Sequence, residues 1–264
     1  MNWIAGIVLG FISGITTILP VSSAAHEVLF GNFLGIRSQD PILEILLDAA
    51  VLIALFSGCR RDILRIQRER SSVMGRKNLV KRQLSSAAMA TLLVMALLAA
   101  FTDPLDGSLL RIAFLLLLNG LILYLPSRLP QGNKDHRNFS PLDSYCVGIG
   151  AGLEGLSGLS GMAGALSAAQ IRGTDRQYTL TLSFLLCIVS QGIALFLDII
   201  GLATASASQH TSILTYIVST AACFGGTRVG ITVLRHLAFR IGFSGFSSYC
   251  WGAGLLSFIL YLSI

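Results

Sequence analysis

Two apolar stretches carry, near their middles, residue types able to do chemistry. In GITTILPVSSAAH, Gly14 to His26, a proline, paired serines and a histidine stand in an apolar surround, and Ser22, Ser23 and His26 are the reactive types. Ser23 and His26 are, by type, a nucleophile and a base. In GLEGLSGLSGMAG, Gly152 to Gly164, the candidates are Glu154, Ser157, Gly158, Ser160 and Gly161. Pro20 suits the first turn of a helix, where its missing N–H is not needed. The glycines let a ligand come close to the backbone. A helix N-terminus is worth about half a positive charge, so two such breaks suit an anion, phosphate above all. Serines and glycines also permit plain tight helix packing, and spacing alone leaves that reading open.

Charges within apolar runs extend the candidate set: His26, Glu27, Asp48 in ILLDAAVLIALF, Glu154, and Arg228 in CFGGTRVGITVL. A charge at the bilayer centre costs at least about 2.5 kcal/mol on insertion scales. An Arg228–carboxylate pair is therefore expected, either as part of a ligand site or as a structural ion pair. Glu27 and Asp198 stand nearer the expected membrane edges, where water reaches them. No carboxylate precedes the proline of the first stretch, and no metal site is expected.

The elements that must position these groups follow from composition. The chain has 264 residues, 53% hydrophobic and 12% charged, with a mean hydropathy of +0.73. Soluble domains carry about 25% charged residues, so this is a membrane protein. Charge-poor apolar runs at about 42–58, 84–101, 109–126, 179–200, 213–234 and 245–264 are long enough to span. Two further stretches, about 3–35 and 142–171, are broken at their centres. Irregular backbone at membrane depth is tolerated only inside protein or against a cavity, so both are expected to be re-entrant helix–loop–helix hairpins. The N-terminus lacks a basic region and a clear small-residue cleavage site, so no removable signal peptide is expected. Cys59, Cys146, Cys187, Cys223 and Cys250 form no CxxC pair and read as apolar filler.

Loop charges set the orientation. From Arg60 to Arg82 there are nine Lys/Arg against two acids, which places the basic loop 59–83 in the cytoplasm. FTDPLDGS and GLATASASQHTS hold no Lys or Arg and fall outside, while SRLPQGNKDHRN, RGTDRQ and Arg235–Arg240 fall inside. The net charge of +6 thus belongs to the positive-inside pattern, and nucleic acid is not an expected partner. The first hairpin enters from outside and the second from inside. The expected fold is an all-α polytopic membrane protein, one domain over 1–264 built as an inverted repeat. Repeat one covers 1–126 and repeat two 142–264, each a re-entrant hairpin plus three transmembrane helices. LPVSS at Leu19–Ser23 and LSGLS at Leu156–Ser160 share their first leucine and last serine. Overlaying the repeats sets Glu154 opposite Thr17.

These motifs make the chain resemble, over nearly its whole length, the undecaprenyl-pyrophosphate phosphatases of the BacA type. That family's first motif has the form EGxTEFLPVSSTGH. Here it reads SGITTILPVSSAAH, so LPVSS and His26 match while Ser13 and Thr17 replace both glutamates. The second motif, PGxSRSG, falls by spacing from SFLL (Ser183–Leu186) on SGLSGMA, Ser157–Ala163. Gly158 and Ser160 match, Gly161 stands where the family has arginine, and Met162 replaces its second serine. Asp143 and Gly148 fit the lead-in. In the family the paired glutamates are thought to hold a divalent metal or assist hydrolysis, and the arginine clamps the diphosphate.

The resemblance implies a bacterial plasma-membrane protein whose partners are the bilayer and a polyprenyl phosphate or diphosphate lipid. The first expectation is a non-hydrolytic carrier. It would hold the headgroup of undecaprenyl phosphate at the bilayer midplane and move it between leaflets, with protons as the coupling ion. Ser22, Ser23, His26, Asp48, Glu154, Ser157, Gly158, Ser160, Gly161 and Arg228 would bind the substrate. The alternative is an undecaprenyl-diphosphate phosphatase with a rearranged site, Ser23 and His26 being catalytic and Glu154 and Arg228 compensating for the lost groups. Mg²⁺ or Ca²⁺ is expected only in that case, and otherwise no cofactor. A non-catalytic scaffold in an envelope complex is the third.

Overall fold

A computed structural model describes residues 2–35, 40–69, 77–100, 108–202, 211–240 and 243–263. Helix α1, Trp3–Ile18, is capped by the Asn2 side chain and stops where Leu19 turns extended before Pro20. Helix α2, Ser23–Leu34, starts from Ser22 and ends on Gly35 in the left-handed conformation, the usual glycine C-terminus. Helix α3, Pro41–Gly58, has Asp40 as its cap. Then come α4, Arg60–Glu69, α5, Lys77–Ala99, and α6, Leu109–Ser127. Helix α7, Pro141–Gly152, opens on a reciprocal capping box between Ser140 and Asp143. A 3-10 turn, Leu153–Gly155, leads to α8, Gly161–Ile171, which is followed by α9, Arg176–Leu202, α10, Ile213–Arg240, and α11, Ser244–Ser263.

Among the described residues, six helices are long and apolar enough to cross a membrane: α3, α5, α6, α9, α10 and α11. The other apolar helices are shorter. At 1.5 Å per residue, α1, α2, α7 and α8 reach only about 16 to 24 Å, short of the ~30 Å hydrocarbon core. Each pair packs on itself, α1 on α2 and α7 on α8, so both broken stretches are helix–break–helix hairpins, as expected.

The elements differ from the sequence reading at the basic segment. The span expected at 84–101 is helical from Lys77, and the region read as a loop over 59–83 holds α4 and the first turns of α5. Arg, Lys and Glu are good helix formers, so an apolar helix continues readily into a basic one. Arg235 of α10 holds α4 in place through Asp62 at 2.5 Å and lies over the Phe184 ring. Most of FTDPLDGS and GLATASASQHTS lies outside the described residues.

Packing interleaves the two halves of the chain. Helix α1 lies along α10, α7 along α5, α3 against α9, and α6 against α11. Small residues make the first contact close: a Cβ at Gly10 would stand 2.2 Å from the Ser219 carbonyl oxygen, and one at Gly14 2.1 Å from that of Cys223. The α7–α5 contact is built the same way: a Cβ at Gly148 would stand 2.2 Å from the Ala87 carbonyl oxygen. Without a strong hydrophobic drive between helices in lipid, such backbone approach is what holds them together. One buried apolar cluster links the tips of both hairpins, with Ile18 and Val21 from the first and Met162 and Ala163 from the second.

The open end of the second hairpin is fastened by charge. Buried Asp143, near the start of α7, accepts hydrogen bonds from Lys134 at 3.3 Å and from Arg172 just past α8. Burial alone would raise its carboxyl pKa. The Ser140 N–H and hydroxyl with Arg172 and Lys134 outweigh that and hold it below the ordinary value.

Candidate functional site

The break in the first hairpin is organised by Ser22 and His26. Ser22 is the one non-glycine residue with positive φ, 66°, among those described, a strained conformation of the kind that collects at functional positions. Its side chain accepts from the Ala25 N–H at 3.3 Å, so it caps α2. Its carbonyl accepts from His26 Nδ1 at 2.7 Å. A carbonyl only accepts, so Nδ1 carries the proton and Nε2 is left to accept. Nε2 takes the hydroxyl of Tyr249 on α11 at 2.8 Å, the two rings stacked at 5.6 Å. His26 is 2% exposed, and both of its nitrogens are occupied.

Ser23, the expected partner of His26, is half-buried and makes no hydrogen bond to it. The nucleophile–base pair read from the sequence is therefore not formed. One turn along α2, Glu27 accepts the Ser13 hydroxyl at 2.5 Å. A carboxylate has thus returned to the place of a missing motif glutamate, carried by the residue after the histidine. At the head of α2, no acceptor among the described residues is seen for the N–H groups of Ser23 and Ala24.

In the second hairpin Ser160 caps α8, accepting from the Ala163 N–H at 3.2 Å. The two break caps are Ser22 and Ser160, one residue out of step with the motif overlay that paired Ser23 with Ser160. Gly158 has φ 117°, which the turn through Ser157 requires; Ser157 itself is exposed. Glu154 accepts from Gln191 Nε2 at 3.1 Å. A Cβ at Gly161 would stand 2.8 Å from Glu154 Oε2 and 2.5 Å from the Ala151 carbonyl oxygen. The family's arginine position is thus closed by the Glu154 carboxylate, and the two departures fit one another.

The tips are joined by a residue the sequence reading passed over. Asn119 of α6, fully buried, donates to the Pro20 carbonyl at 2.9 Å and accepts the Ser160 N–H at 3.1 Å. A lone Asn in LLLLNGLIL was the available signal. The junction of the tips holds Asn119 and apolar side chains. Of the expected site residues, His26 lines the larger of the two described cavities. That open cavity, of about 440 Å³, lies between α1, α2, α10 and α11. Of its lining residues, only Thr16, His26 and Tyr249 have polar side chains; Ile12, Leu19, Phe30 and Leu237 are among the rest.

The remaining candidates stand apart. Asp48 of α3 is a neighbour of Asp198 of α9, with Glu27, Glu44 and Glu154 within electrostatic range of that neighbourhood. Arg228 is exposed and donates to Ser57 Oγ at 3.3 Å. The expected Arg228–carboxylate pair is not made among the described residues, because Arg228 reaches the Ser57 end of α3 while Asp48 stands more than two turns earlier on that helix. The residues described form no group of three or more His, Cys, Asp or Glu placed to hold a metal ion, so a donor set for Mg²⁺ or Ca²⁺ is not assembled.

The family described as Bacitracin resistance protein BacA matches residues 6–256. The chain belongs to this family. Among BacA-family relatives, the undecaprenyl-diphosphatase of Carboxydothermus hydrogenoformans is 28% identical over 263 residues, 98% of this chain and 98% of its own. That of Halothermothrix orenii is 27% identical over 96% of each chain, and that of Methanobrevibacter smithii 28% over 98% of each. Likeness runs from end to end, so this BacA-family member departs from its motifs at single positions within an intact scaffold.

Proposed function

We propose that this BacA-family protein hydrolyses a polyprenyl diphosphate, undecaprenyl diphosphate in particular, in the bacterial plasma membrane. The carrying observation is the apolar cavity that has His26 and Tyr249 among its few polar lining groups. A polyprenyl chain fits the apolar walls, and its charged end comes to the head of α2. There the Ser23 and Ala24 N–H groups and the positive end of the helix meet phosphoryl oxygens, beside the Ser23 hydroxyl. End-to-end likeness to proteins named undecaprenyl-diphosphatase supports hydrolysis over transport. Ser23 is the nucleophile in this reading, His26 and Ser22 shape the break, and the basic segment 59–83 faces the cytoplasm.

Purified protein in detergent, given undecaprenyl diphosphate, is expected to release inorganic phosphate, and Ser23→Ala to abolish the release. No release from folded wild-type protein ends the hydrolase reading.

One observation favours a second reading, the carrier. Asp48 of α3 and Asp198 of α9 are neighbouring acids within two membrane spans, and paired acids at such depth mark proton pathways. With the motif arginine absent, that pair suits proton-coupled movement of a monophosphate lipid. Gradient-driven transfer of undecaprenyl phosphate across liposomes, lost in Asp48→Asn and without phosphate release, would establish it in place of hydrolysis.

A further inference from the structure

We infer that Glu27 takes the proton from the Ser23 hydroxyl, the part that type and spacing had given to His26. The inference rests on the hydrolase reading above. Three observations meet here. His26 is held on both sides, its Nδ1 proton given to the Ser22 carbonyl at 2.7 Å and its Nε2 covered by the Tyr249 hydroxyl at 2.8 Å. Residues four apart on a helix share a face, their Cβ atoms about 5 to 6 Å apart, so Glu27 is the neighbour of Ser23 one turn along α2. His26, three along from Ser23, is turned into the cavity beside Phe30. Finally, Glu27 is fixed rather than free to swing, its Oε1 accepting the hydroxyl of Ser13, which is 5% exposed on α1. A carboxylate oriented by a third group, one helical turn from a serine on the same face, brings together the elements of an activated nucleophile.

The step balances without any further reagent. The Ser23 O–H proton passes to a Glu27 carboxylate oxygen as Ser23 Oγ bonds to the terminal phosphorus. The bond from that phosphorus to the bridging oxygen breaks, and the polyprenyl monophosphate leaves with the bond's electron pair. Glu27 then gives its proton to that product. Water, activated in turn by Glu27, opens the phosphoserine to inorganic phosphate and restores Ser23. Ser13 acts through Glu27 and is a positioning residue.

The test uses full-length protein in detergent with undecaprenyl diphosphate. Glu27→Gln should lower kcat by about 10²-fold or more, the scale of general-base catalysis, with KM little changed. Ser13→Ala should lower it less and shift the pH profile, since the carboxylate stays but loses its anchor. The decisive variant is S13E/E27Q, which moves the carboxylate across the existing contact and should recover at least a tenth of the wild-type rate. Wild-type turnover in folded Glu27→Gln overturns the inference and leaves the hydrolase reading standing. Absence of turnover in wild-type protein removes both. Should Glu27→Gln fail to fold, Glu27→Asp replaces it: reduced turnover with a shifted pH profile supports the assignment, and an unchanged rate and profile overturn it.

Discussion

The Tyr249 hydroxyl donates to His26 Nε2 at 2.8 Å, tying the last helix of the chain to the break in the first hairpin. The two residues are 223 positions apart, and both line the apolar cavity. Tyr249→Phe keeps the ring and removes the hydroxyl, leaving a buried acceptor without a partner. Such a loss costs about 1 to 3 kcal/mol, read as a lower unfolding midpoint in detergent. His26→Ala removes the acceptor too, so adding Tyr249→Phe to it should lower the midpoint by clearly less than it does in the wild type. Equal losses in the two backgrounds would show that the bond adds nothing.

Asn119 makes a second long-range tie, donating to the Pro20 carbonyl and accepting the Ser160 N–H. Asn119→Ala strands the buried Ser160 N–H and leaves the Pro20 carbonyl only the weak Cys250 Sγ–H donor at 3.7 Å, an expected loss of about 1 to 3 kcal/mol. Asn119→Asp keeps the acceptor for Ser160 and loses the donor for Pro20, so it should fall between wild type and Ala. Thermal unfolding of the three proteins checks the order.

How much of this was legible depends on which kind of signal each part carries. Six spans and two interrupted hairpins follow from charge-free apolar length, a property local in the chain. The motif LPVSS with His26 marked the break correctly, because proline and paired serines act on their own backbone. The partners were not legible. Nothing near His26 announces Tyr249, and nothing near Pro20 announces Asn119, since each contact is made by packing between distant helices. Arg228 was expected to find an acid because its burial was assumed. It stands on an exposed face of α10 and is met by the Ser57 hydroxyl near the end of α3, so its partner is a neutral acceptor and not an acid. Glu27 was set aside as an edge residue, and only the fold of α2 against α1 shows its carboxylate on Ser13.

The Asp143 cluster at the base of the second hairpin predicts an acid response. Its carboxyl is held below the ordinary value in the fold, so its ionised form is favoured there. The contribution is complete above the unfolded carboxylate pKa of about 3.9 and is lost as pH falls through the lower, folded value. Asp143→Asn should lower the unfolding midpoint at pH 7. The difference from wild type should begin to shrink as the pH is taken below about 4, where the unfolded aspartate takes up its proton first, and should vanish once the lower, folded value is passed. A difference that stayed constant down to strongly acid pH would show that charge has no part in fastening this hairpin.

The crossing of α1 and α10 yields the sharpest steric prediction. A methyl at Gly14 would stand 2.1 Å from the Cys223 carbonyl oxygen and 2.9 Å from Thr227 Oγ1, whereas one at Gly225, on the same α10, meets nothing within 4 Å. Neither substitution adds charge or a hydrogen-bonding group. Gly14→Ala must push two backbones apart, an overpacking cost of about 1 to 3 kcal/mol. Gly225→Ala should be neutral or slightly stabilising, because alanine is the better helix former by about 1 kcal/mol. Gly14 is also one residue from Ser13, so separating the helices there draws Ser13 away from Glu27 and should reduce turnover as well as stability. Unfolding midpoints and phosphate release measured on both variants test the two effects together; equal behaviour of the two alanine variants would contradict the close α1–α10 contact.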